Sequence, residues 1–257
     1  MTNDYPRFVE SIKVKTGIDL SLYKEEQMKR RLTSFFQKKG FKNFNELYKE
    51  LDCNSHVLNE FLDRMTINVT EFYRNYKRWE VLQNKILPTL ICENSKPKIW
   101  SAACSTGEEP YTIAMVLNQF MPYSQIAITA SDIDGNAIMK AKRGVFSERS
   151  LNEVPNEIRK KYFTRNGEFY KISDEIKQTV IFNKHNLLAD KFDQMFDLII
   201  CRNVLIYFTE EAKSIIYKKF SDALRPGGVL FVGSTEQIFH PQTYGLETEE
   251  TFFYRKK

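Results

Sequence analysis

The chain has 257 residues, a formal net charge of +5, 42% hydrophobic residues and four cysteines. This length supports one large domain, or a small and a medium one, without disulfide staples, and the cysteines form no C-x-x-C pair and have no histidine at ligand spacing, which excludes a disulfide framework and a zinc site. With no leader-like N-terminus and no run of about 18 apolar residues, the sequence predicts a cytoplasmic protein that neither inserts into a membrane nor binds a metal.

The first part of the chain has helical periodicity. Residues 1–75 carry apolar side chains at helical spacing and little β-branched alternation, which predicts an all-α N-terminal domain of four short helices. Gly17 and Gly40 are expected at helix ends, and Asn43 and Ser55 are expected N-caps.

A linker and a second domain follow. The linker covers residues 76–97, and its connecting helix, Arg78–Leu87, leads through Pro88 toward the first strand. Over residues 98–257 strands and helices alternate, which predicts an α/β domain with a mostly parallel, Rossmann-like sheet and right-handed crossovers. The predicted strands are Ile99–Ala102, Ile126–Ser131, Thr179–Asn183, Asp197–Cys201, Val229–Gly233 and Thr251–Arg255.

Helix boundaries in this domain are marked by proline, capping residues and glycine. Pro110 is expected at a first helical position, and Asp134 and Thr209 are expected to precede two further helices. The turn Arg225–Gly228 is expected to stop the last helix.

One crossover is longer than a single helix requires. Residues 144–180 contain a predicted short helix, Glu157–Tyr162, and hairpin-like alternation around Asn166 and Gly167. We therefore predict a small antiparallel β insertion, which is either a site of partner recognition or a decorative loop.

The loop after the first predicted strand has few glycines. A dinucleotide pocket uses G-x-G-x-x-G so that the backbone can approach a doubly charged pyrophosphate at a helix N-terminus. Here Gly107 alone remains, followed by Glu108 and Glu109. Two carboxylates would repel a pyrophosphate and suit a cation, and S-adenosylmethionine is the nucleoside cofactor with a cation and no phosphate.

Polar residues also follow the other strands, where the ligand of an open α/β sheet binds. Asp132 is placed to accept the ribose hydroxyls, the alternative being a helix cap, for which Asp134 is better placed. Glu109 is equally compatible with an N-cap and with a cation ligand. Asn186 and Leu187 follow the third strand, and Arg202 and Asn203 follow the fourth.

Two segments of the helical region carry polar patterns. Asn68–Arg74 combines alternate polar residues with two aromatics and an arginine, as an ordinary helix surface also does. The run from Lys24 to Lys42 holds seven basic residues against two acidic ones. This run is either a solvated face or a binding surface for a negatively charged partner.

Taken together, these motifs closely resemble the chemotaxis receptor methyltransferase family, CheR, over nearly the whole chain. The motifs that carry the resemblance are Asn68–Arg74, Trp100–Tyr111, Ala130–Asp134, His185–Leu188 and Cys201–Phe208. The resemblance implies an enzyme that transfers the methyl group of S-adenosylmethionine to glutamate side chains of methyl-accepting chemotaxis receptors. The products would be glutamyl methyl esters and S-adenosylhomocysteine, and the enzyme would be recruited to membrane-bound receptors.

The resemblance also implies roles for individual residues. Arg74 and Tyr207 would be positioning groups, with Tyr207 near the methyl group, and no general base is expected, because a glutamate with a pKa of about 4.3 is already ionised. The implied cofactor contacts are Asn68, Thr70, Arg74, Glu109, Asp132, Asn186, Leu187, Arg202 and Asn203. The implied receptor contacts of the helical domain are Lys29, Arg30, Arg31, Lys38 and Lys39. In some family members the insertion also tethers a receptor peptide.

Three other functions compete with this interpretation. A nucleic-acid methyltransferase would carry an Asn/Asp-Pro-Pro-aromatic motif after the fourth strand and base-stacking basic stripes, whereas this chain has Arg202–Tyr207 there. A non-catalytic module that binds S-adenosylmethionine or receptors is distinguished from an enzyme by turnover. The missing glycines disfavour a nicotinamide oxidoreductase.

Overall fold

Four α-helices form the first part of the computed structural model, which describes residues 4–66 and 68–257. They confirm the predicted all-α region, and their apolar faces meet in one core. The helices are α1 (Tyr5–Thr16), α2 (Glu25–Lys38), α3 (Phe44–Cys53) and α4 (Ser55–Met65), with a 3-10 turn at Leu20–Leu22.

The helix caps of this region follow the sequence with one exception. Gly17 ends α1 with a left-handed φ of 74°, and the Asn43 side chain accepts a hydrogen bond from the amide of Glu46. The predicted N-cap at Ser55 is wrong, because the extended backbone lies at Asn54, whose side chain accepts from the first amides of α4. Ser55 is instead the first helical residue.

The connecting helix is longer than predicted. It runs through α5 (Tyr76–Val81), a π-helical turn (Leu82–Ile86) and α6 (Leu87–Glu93). Pro88 therefore lies inside the helical rod. Pro88 has no amide hydrogen to donate, and the wider π-helical turn lies just before it. The helix therefore continues past Pro88 to Glu93 instead of stopping.

A seven-stranded sheet forms the centre of the second part, in the order β6-β2-β1-β7-β8-β10-β9. The pairs from β6 to β8 are parallel, which confirms the predicted Rossmann-like sheet, and both faces are buried by apolar side chains. The strands are β1 (Ile99–Ala102), β2 (Ile128–Asp132), β6 (Val180–Lys184), β7 (Phe196–Cys201), β8 (Leu224–Val232), β9 (Leu246–Glu250) and β10 (Phe253–Lys256). The helices between them are α7 (Glu108–Leu117), α8 (Gly135–Arg143) and α11 (Glu210–Ala223).

The far edge of the sheet differs from the prediction in two places. The last predicted strand is one arm of an antiparallel hairpin, and β9 was missed because Leu246 is its one fully buried position beside exposed acidic residues. The turn predicted at Arg225–Gly228 lies inside β8, where the pairing with β7 jumps from Leu224 to Val229. These residues form an irregularity of the strand rather than the helix stop, because α11 has already ended at Ala223.

The predicted β insertion is confirmed. It contains a three-stranded antiparallel sheet in the order β3-β5-β4, and the hairpin turns at Gly167 with a φ of 62°. Its elements are β3 (Val145–Ser147), a 3-10 turn (Glu148–Leu151), α9 (Asn156–Tyr162), β4 (Phe163–Asn166), β5 (Phe169–Ile172) and α10 (Asp174–Gln178).

A short backbone bridge joins the helical region to the sheet region. Tyr23 and Phe208 form an isolated antiparallel bridge, and their rings meet edge to face with centroids 4.9 Å apart. The amide of Lys24 donates to the carbonyl of Tyr207 over 2.9 Å, and the amide of Thr209 donates to the carbonyl of Leu22 over 3.0 Å. The start of α2 is therefore fixed beside the loop that follows β7.

Candidate functional site

A cavity of about 110 Å³, partly open to solvent, lies at the carboxyl ends of the parallel strands. The chain leaves β1 toward β2 and returns on the other side of β1 at β7, so this is the switch point at which ligands of such sheets bind. Ten residues predicted for the cofactor and the methyl group all line the cavity. They are Asn68, Thr70, Arg74, Glu109, Asp132, Asn186, Leu187, Arg202, Asn203 and Tyr207.

The predicted receptor-binding residues lie in three neighbouring places. Arg31 lines the main cavity, and together with Arg30 it lines a neighbouring depression that shares Tyr207. Lys29 and Arg30 lie along a shallow groove on the outer face of α2. Lys38 and Lys39 lie at the C-terminal end of that helix, exposed to solvent.

The loop after β1 has the backbone conformation of a glycine-rich loop, although it contains few glycines. Ala103, Ser105 and Gly107 have φ angles of 63°, 48° and 96°, so two side-chain-bearing residues adopt the left-handed backbone that glycine would adopt freely. Each costs about 1–2 kcal/mol. Gly107 is also the N-cap of α7, which begins at Glu108. Pro110 is therefore the third helical residue and not the first as predicted.

Asp132 stabilises this loop. One carboxylate oxygen accepts from the amide of Ser105 over 2.7 Å, and the other accepts from the amide of Asp134 over 2.9 Å. Burial raises the pKa of Asp132, and these amide donors oppose the rise. A carboxylate has about four lone-pair sites, so acceptor capacity remains for a hydroxyl group of a ligand.

Asp134 is the helix cap, as the sequence favoured. Its Oδ1 accepts from two amides of the first turn of α8, and its Oδ2 accepts from Asn68 Nδ2 over 2.7 Å and from Thr66 Oγ1 over 3.0 Å. Burial acts to raise the pKa of Asp134, but these donors outweigh it and lower the pKa. Ser105 Oγ donates to Asn68 Oδ1 over 2.8 Å, so the amide group of Asn68 links the β1 loop to the cap of α8.

A buried acid and a buried guanidinium lie at the centre of the cavity wall. Glu109 Oε2 is 3.6 Å from Arg202 Nη1, with side-chain exposures of 12% and 3%. Burial raises the pKa of Glu109 to about 7, against the opposing effects of Arg202 and of the Ser101 hydroxyl, which donates over 2.9 Å. Glu109 is thus an acid whose charge is only partly compensated.

Arg202 is fixed by its neighbours on several sides. Its Nη2 donates to the carbonyl of Arg74 over 2.7 Å, and its guanidinium lies over the rings of Trp79 and Phe231 at 5.3 and 4.8 Å. Within the part of the chain that the structure describes, its buried Nε has no hydrogen-bond partner. A buried donor left unpaired is typical of a site that a polar ligand completes.

The loop after β7 brings the last two predicted residues to the cavity. Asn203 adopts a left-handed φ of 60°, and a single 3-10 turn, Leu205–Tyr207, follows. The guanidinium of Arg31 lies 5.3 Å from the centroid of the Tyr207 ring. Burial raises the pKa of the Tyr207 hydroxyl, so Tyr207 is a neutral phenol near pH 7.

Sequence reasoning missed several residues of this site. Tyr23 and Thr66 line the cavity from the helical region. Glu236 is 4% exposed and accepts hydrogen bonds from backbone amides of the β7 loop. The signal for Glu236 was its place just after β8, where a fifth strand-end side chain would lie.

The donor set fits S-adenosylmethionine. Glu109 is suited to a cation, Asp132 keeps acceptor capacity for a hydroxyl group, and the small side chains of the β1 loop admit close approach of a ligand. Over residues 4–66 and 68–257, no group of three or more His, Cys, Asp or Glu side chains is placed to hold a metal ion. None of the helices in these ranges is long and apolar enough to span a bilayer.

Lowering the pH through about 7 is expected to weaken cofactor binding, because the pKa of Glu109 lies there and only its ionised form attracts a cation. Affinity should be full above that pKa and fall by up to about tenfold per pH unit below it. Calorimetric titration with S-adenosylmethionine at several pH values measures the slope. Glu109→Gln should bind weakly and lose this dependence, and a wild-type slope in the variant would assign the titration to another group.

Comparison with protein families gives two matches that together cover nearly the whole chain. Residues 3–66 match the family described as CheR methyltransferase, all-alpha domain. Residues 68–253 match the family described as CheR methyltransferase, SAM binding domain.

Curated relatives extend along the full chain. A chemotaxis protein methyltransferase of Listeria innocua is 43% identical over 257 residues, covering 100% of this chain and 98% of the relative. The protein of the same name from Listeria monocytogenes is 42% identical with the same coverage. One from Borreliella burgdorferi is 36% identical, covering 92% of this chain and 88% of the relative.

Proposed function

Because the chain belongs to the CheR methyltransferase family, we propose that it transfers the methyl group of S-adenosylmethionine to glutamate side chains of bacterial chemoreceptors. The products are glutamyl methyl esters and S-adenosylhomocysteine. The observation that carries the proposal is the convergence of Glu109, Asp132 and Arg202 on one cavity whose outer wall holds Tyr207 and Arg31. The names of the chemotaxis relatives support the choice of acceptor.

The reaction requires orientation rather than proton transfer. When bound, S-adenosylmethionine supplies a methyl carbon activated by its sulfonium, which a carboxylate oxygen takes up directly as S-adenosylhomocysteine leaves. An acceptor glutamate is ionised at neutral pH, since its ordinary pKa is about 4.3. Holding the reacting atoms in line is worth up to about 7–11 kcal/mol in the best intramolecular cases.

The chain's own residues divide this work. Glu109 attracts the cation and Asp132 accepts hydroxyl donors. Arg202 offers a polar group its Nε, which has no hydrogen-bond partner among the described residues. Arg74 curls the preceding loop by donating to the carbonyl of Val69 over 3.1 Å, so its guanidinium stays at the cavity rim as a positioning group. Asn68, Thr70, Asn186, Leu187 and Asn203 complete the wall.

The acceptor is proposed to enter from the side of α2. Arg31 and Tyr207 line both the main cavity and the neighbouring depression, which also contains Arg30 and Arg64. Three guanidinium groups around one depression suit an acidic helical segment of a receptor. Lys29, Lys38 and Lys39 would extend this basic surface along α2, although Lys39 already pairs with Glu60.

Charge reversal at Arg30 is expected to raise the KM for the receptor about tenfold while leaving cofactor affinity within twofold, because Arg30 is exposed and lies outside the main cavity. Steady-state methylation of a receptor cytoplasmic fragment and calorimetry with S-adenosylhomocysteine measure the two effects. Arg30→Glu is a cleaner test than a substitution of Arg31, because the guanidinium of Arg31 donates to the carbonyl of Met65 and lies over the ring of Tyr207. Lys218→Glu on α11 is the matched control, and equal losses in both variants would contradict a receptor-binding role for α2.

The function itself is tested by transfer of labelled methyl from S-adenosylmethionine to a chemoreceptor cytoplasmic fragment. We expect label on the receptor that mild alkali releases as volatile methanol, since methyl esters are base-labile. Cofactor binding without receptor label, or alkali-stable label on nucleic acid, would contradict the proposal.

A further inference from the structure

Glu236 is buried behind the cavity wall, and its carboxylate is occupied by backbone amides. Oε2 accepts from Asn203 over 2.6 Å and from Gly233 over 2.8 Å. Oε1 accepts from Leu205 over 2.6 Å and from Ile206 over 3.3 Å. Three of these four donors belong to the β7 loop, which carries five of the residues that line the cavity.

The end of the β7 loop is held by its own 3-10 turn and by the backbone bridge to the helical region, whereas the amides at its start need a further acceptor. Asn203 has the left-handed φ of 60° that a residue with a side chain adopts at a cost, and the 3-10 turn that follows has only three residues. The first amides of such a turn have no partner within the turn. Glu236, about 30 residues further along the chain, accepts from two of them, Leu205 and Ile206, so it caps this turn from a distance.

The neighbouring backbone leaves room for this arrangement. Gly233 has a φ in the ordinary range, but a Cβ there would lie 2.4 Å from Glu236 Oε2 and 2.9 Å from the amide nitrogen of Asn203. The close approach of two backbone segments, the β7 loop and the end of β8, around one carboxylate therefore depends on glycine at 233.

We propose that Glu236 is a positioning residue of the methyltransferase, which acts through the β7 loop by holding Asn203 and Tyr207 at the cavity without touching the ligand itself. The part concerning Tyr207 rests on the proposed function, whereas the part concerning Asn203 concerns cofactor binding alone. The Glu236 carboxylate holds the backbone of the β7 loop, and the side chains of that loop contact the ligand.

The test is Glu236→Gln in the full chain, which keeps the shape of the side chain but turns an NH₂ donor toward one pair of amide donors. Two readouts apply: hydrogen exchange of the amides of Asn203, Leu205, Ile206 and Gly233 in the free protein, and the Kd for S-adenosylhomocysteine by calorimetry. We expect faster exchange at the pair that faces the new NH₂ group and about tenfold weaker binding, because buried donors lose an acceptor and the loop loosens. Unchanged exchange, or a loss of affinity below threefold, would overturn the proposal.

Asp197→Asn is the matched control. Asp197 is also buried, and it accepts from the Lys98 amide, Asn94 Nδ2 and Arg225 Nε at the opposite end of β7. Asp197→Asn should lower the melting temperature while leaving the exchange rates of the loop amides and the Kd within twofold of the wild type. Glu236→Gln would give the same result if Glu236 had only a structural role. If Glu236→Gln does not fold, Glu236→Asp is read in the same two ways.

Methyl transfer supplies a further readout. The double variant of Glu236→Gln and Tyr207→Phe should lose less kcat than the product of the two single losses, because both substitutions act through one loop. A double-variant loss equal to that product would overturn the role toward Tyr207. If the wild-type protein transfers no methyl to receptor fragments, the proposed function fails. The exchange and binding measurements still decide the role of Glu236 toward Asn203.

Discussion

Replacing Asp132 by alanine is expected to weaken binding of S-adenosylmethionine by at least tenfold, or about 1.4 kcal/mol, because a charged acceptor for hydroxyl groups is lost from the cavity. The loss should exceed that minimum, since the same carboxylate accepts from the amides of Ser105 and Asp134 and holds the β1 loop in its left-handed course. Calorimetric titration of the variant measures it.

Asp132→Asn separates these two contributions. The amide keeps one oxygen acceptor and the side-chain volume, so the loop should loosen less while the charge is lost. The matched carboxylate Asp197 is also buried but lies near the start of β7, away from the cavity, and Asp197→Asn should leave affinity unchanged. Near-normal affinity in Asp132→Ala would mean that the ligand binds elsewhere.

Replacing Gly107 by alanine is expected to destabilise the protein by about 3 kcal/mol, which lowers the melting temperature by about 6–12 °C. The φ of Gly107 is 96°, and a Cβ would lie 2.8 Å from Ala141 Cβ and 3.2 Å from the Tyr111 ring. Backbone strain and a clash with α8 therefore add. Thermal unfolding followed by circular dichroism measures the change.

Gly135→Ala is the control for this substitution. Gly135 begins α8 with an ordinary φ, and, apart from its chain neighbours and its own helical turn, none of the described residues lies within 4 Å of the position of an added Cβ. Its melting temperature should match or slightly exceed that of the wild type, because alanine is the better helix former. Equal destabilisation by the two substitutions would refute the argument from steric crowding.

The fold could be predicted from the sequence where patterns are local and repeated. Helical periodicity in the N-terminal region and strand-helix alternation from residue 98 depend on spacing within each segment, and both are confirmed, except that the described part of residues 66–75 is not helical. The β9 strand could not be found in this way, because its pairing with β10 supplies its hydrogen bonds while its side chains remain mostly exposed. The helix through Pro88 escaped for a related reason, since the wider π turn depends on backbone geometry that residue types do not encode.

The candidate site was predictable for residues that directly follow strands. Asp132, Asn186 and Arg202 each come within a few residues of a strand end, and the parallel topology brings such ends together. The sequence alone could not show that Asp134 links Asn68 to α8, because these residues are 66 positions apart. Glu236 escaped because its partners are backbone amides, which carry no sequence signature. The individual roles remain predictions.

The bridge between Tyr23 and Phe208 limits how this architecture can be recombined. Because Lys24 and Thr209 exchange backbone hydrogen bonds with residues of the opposite region, and Arg31 reaches the main cavity, the helical region is part of the cavity wall rather than a detachable adaptor. A chimera that takes this region from a relative with different receptor preference would also need that relative's loop from residue 203 to residue 209. Acceptor choice and cofactor binding are therefore expected to diverge together among paralogues rather than by exchange of the N-terminal region alone.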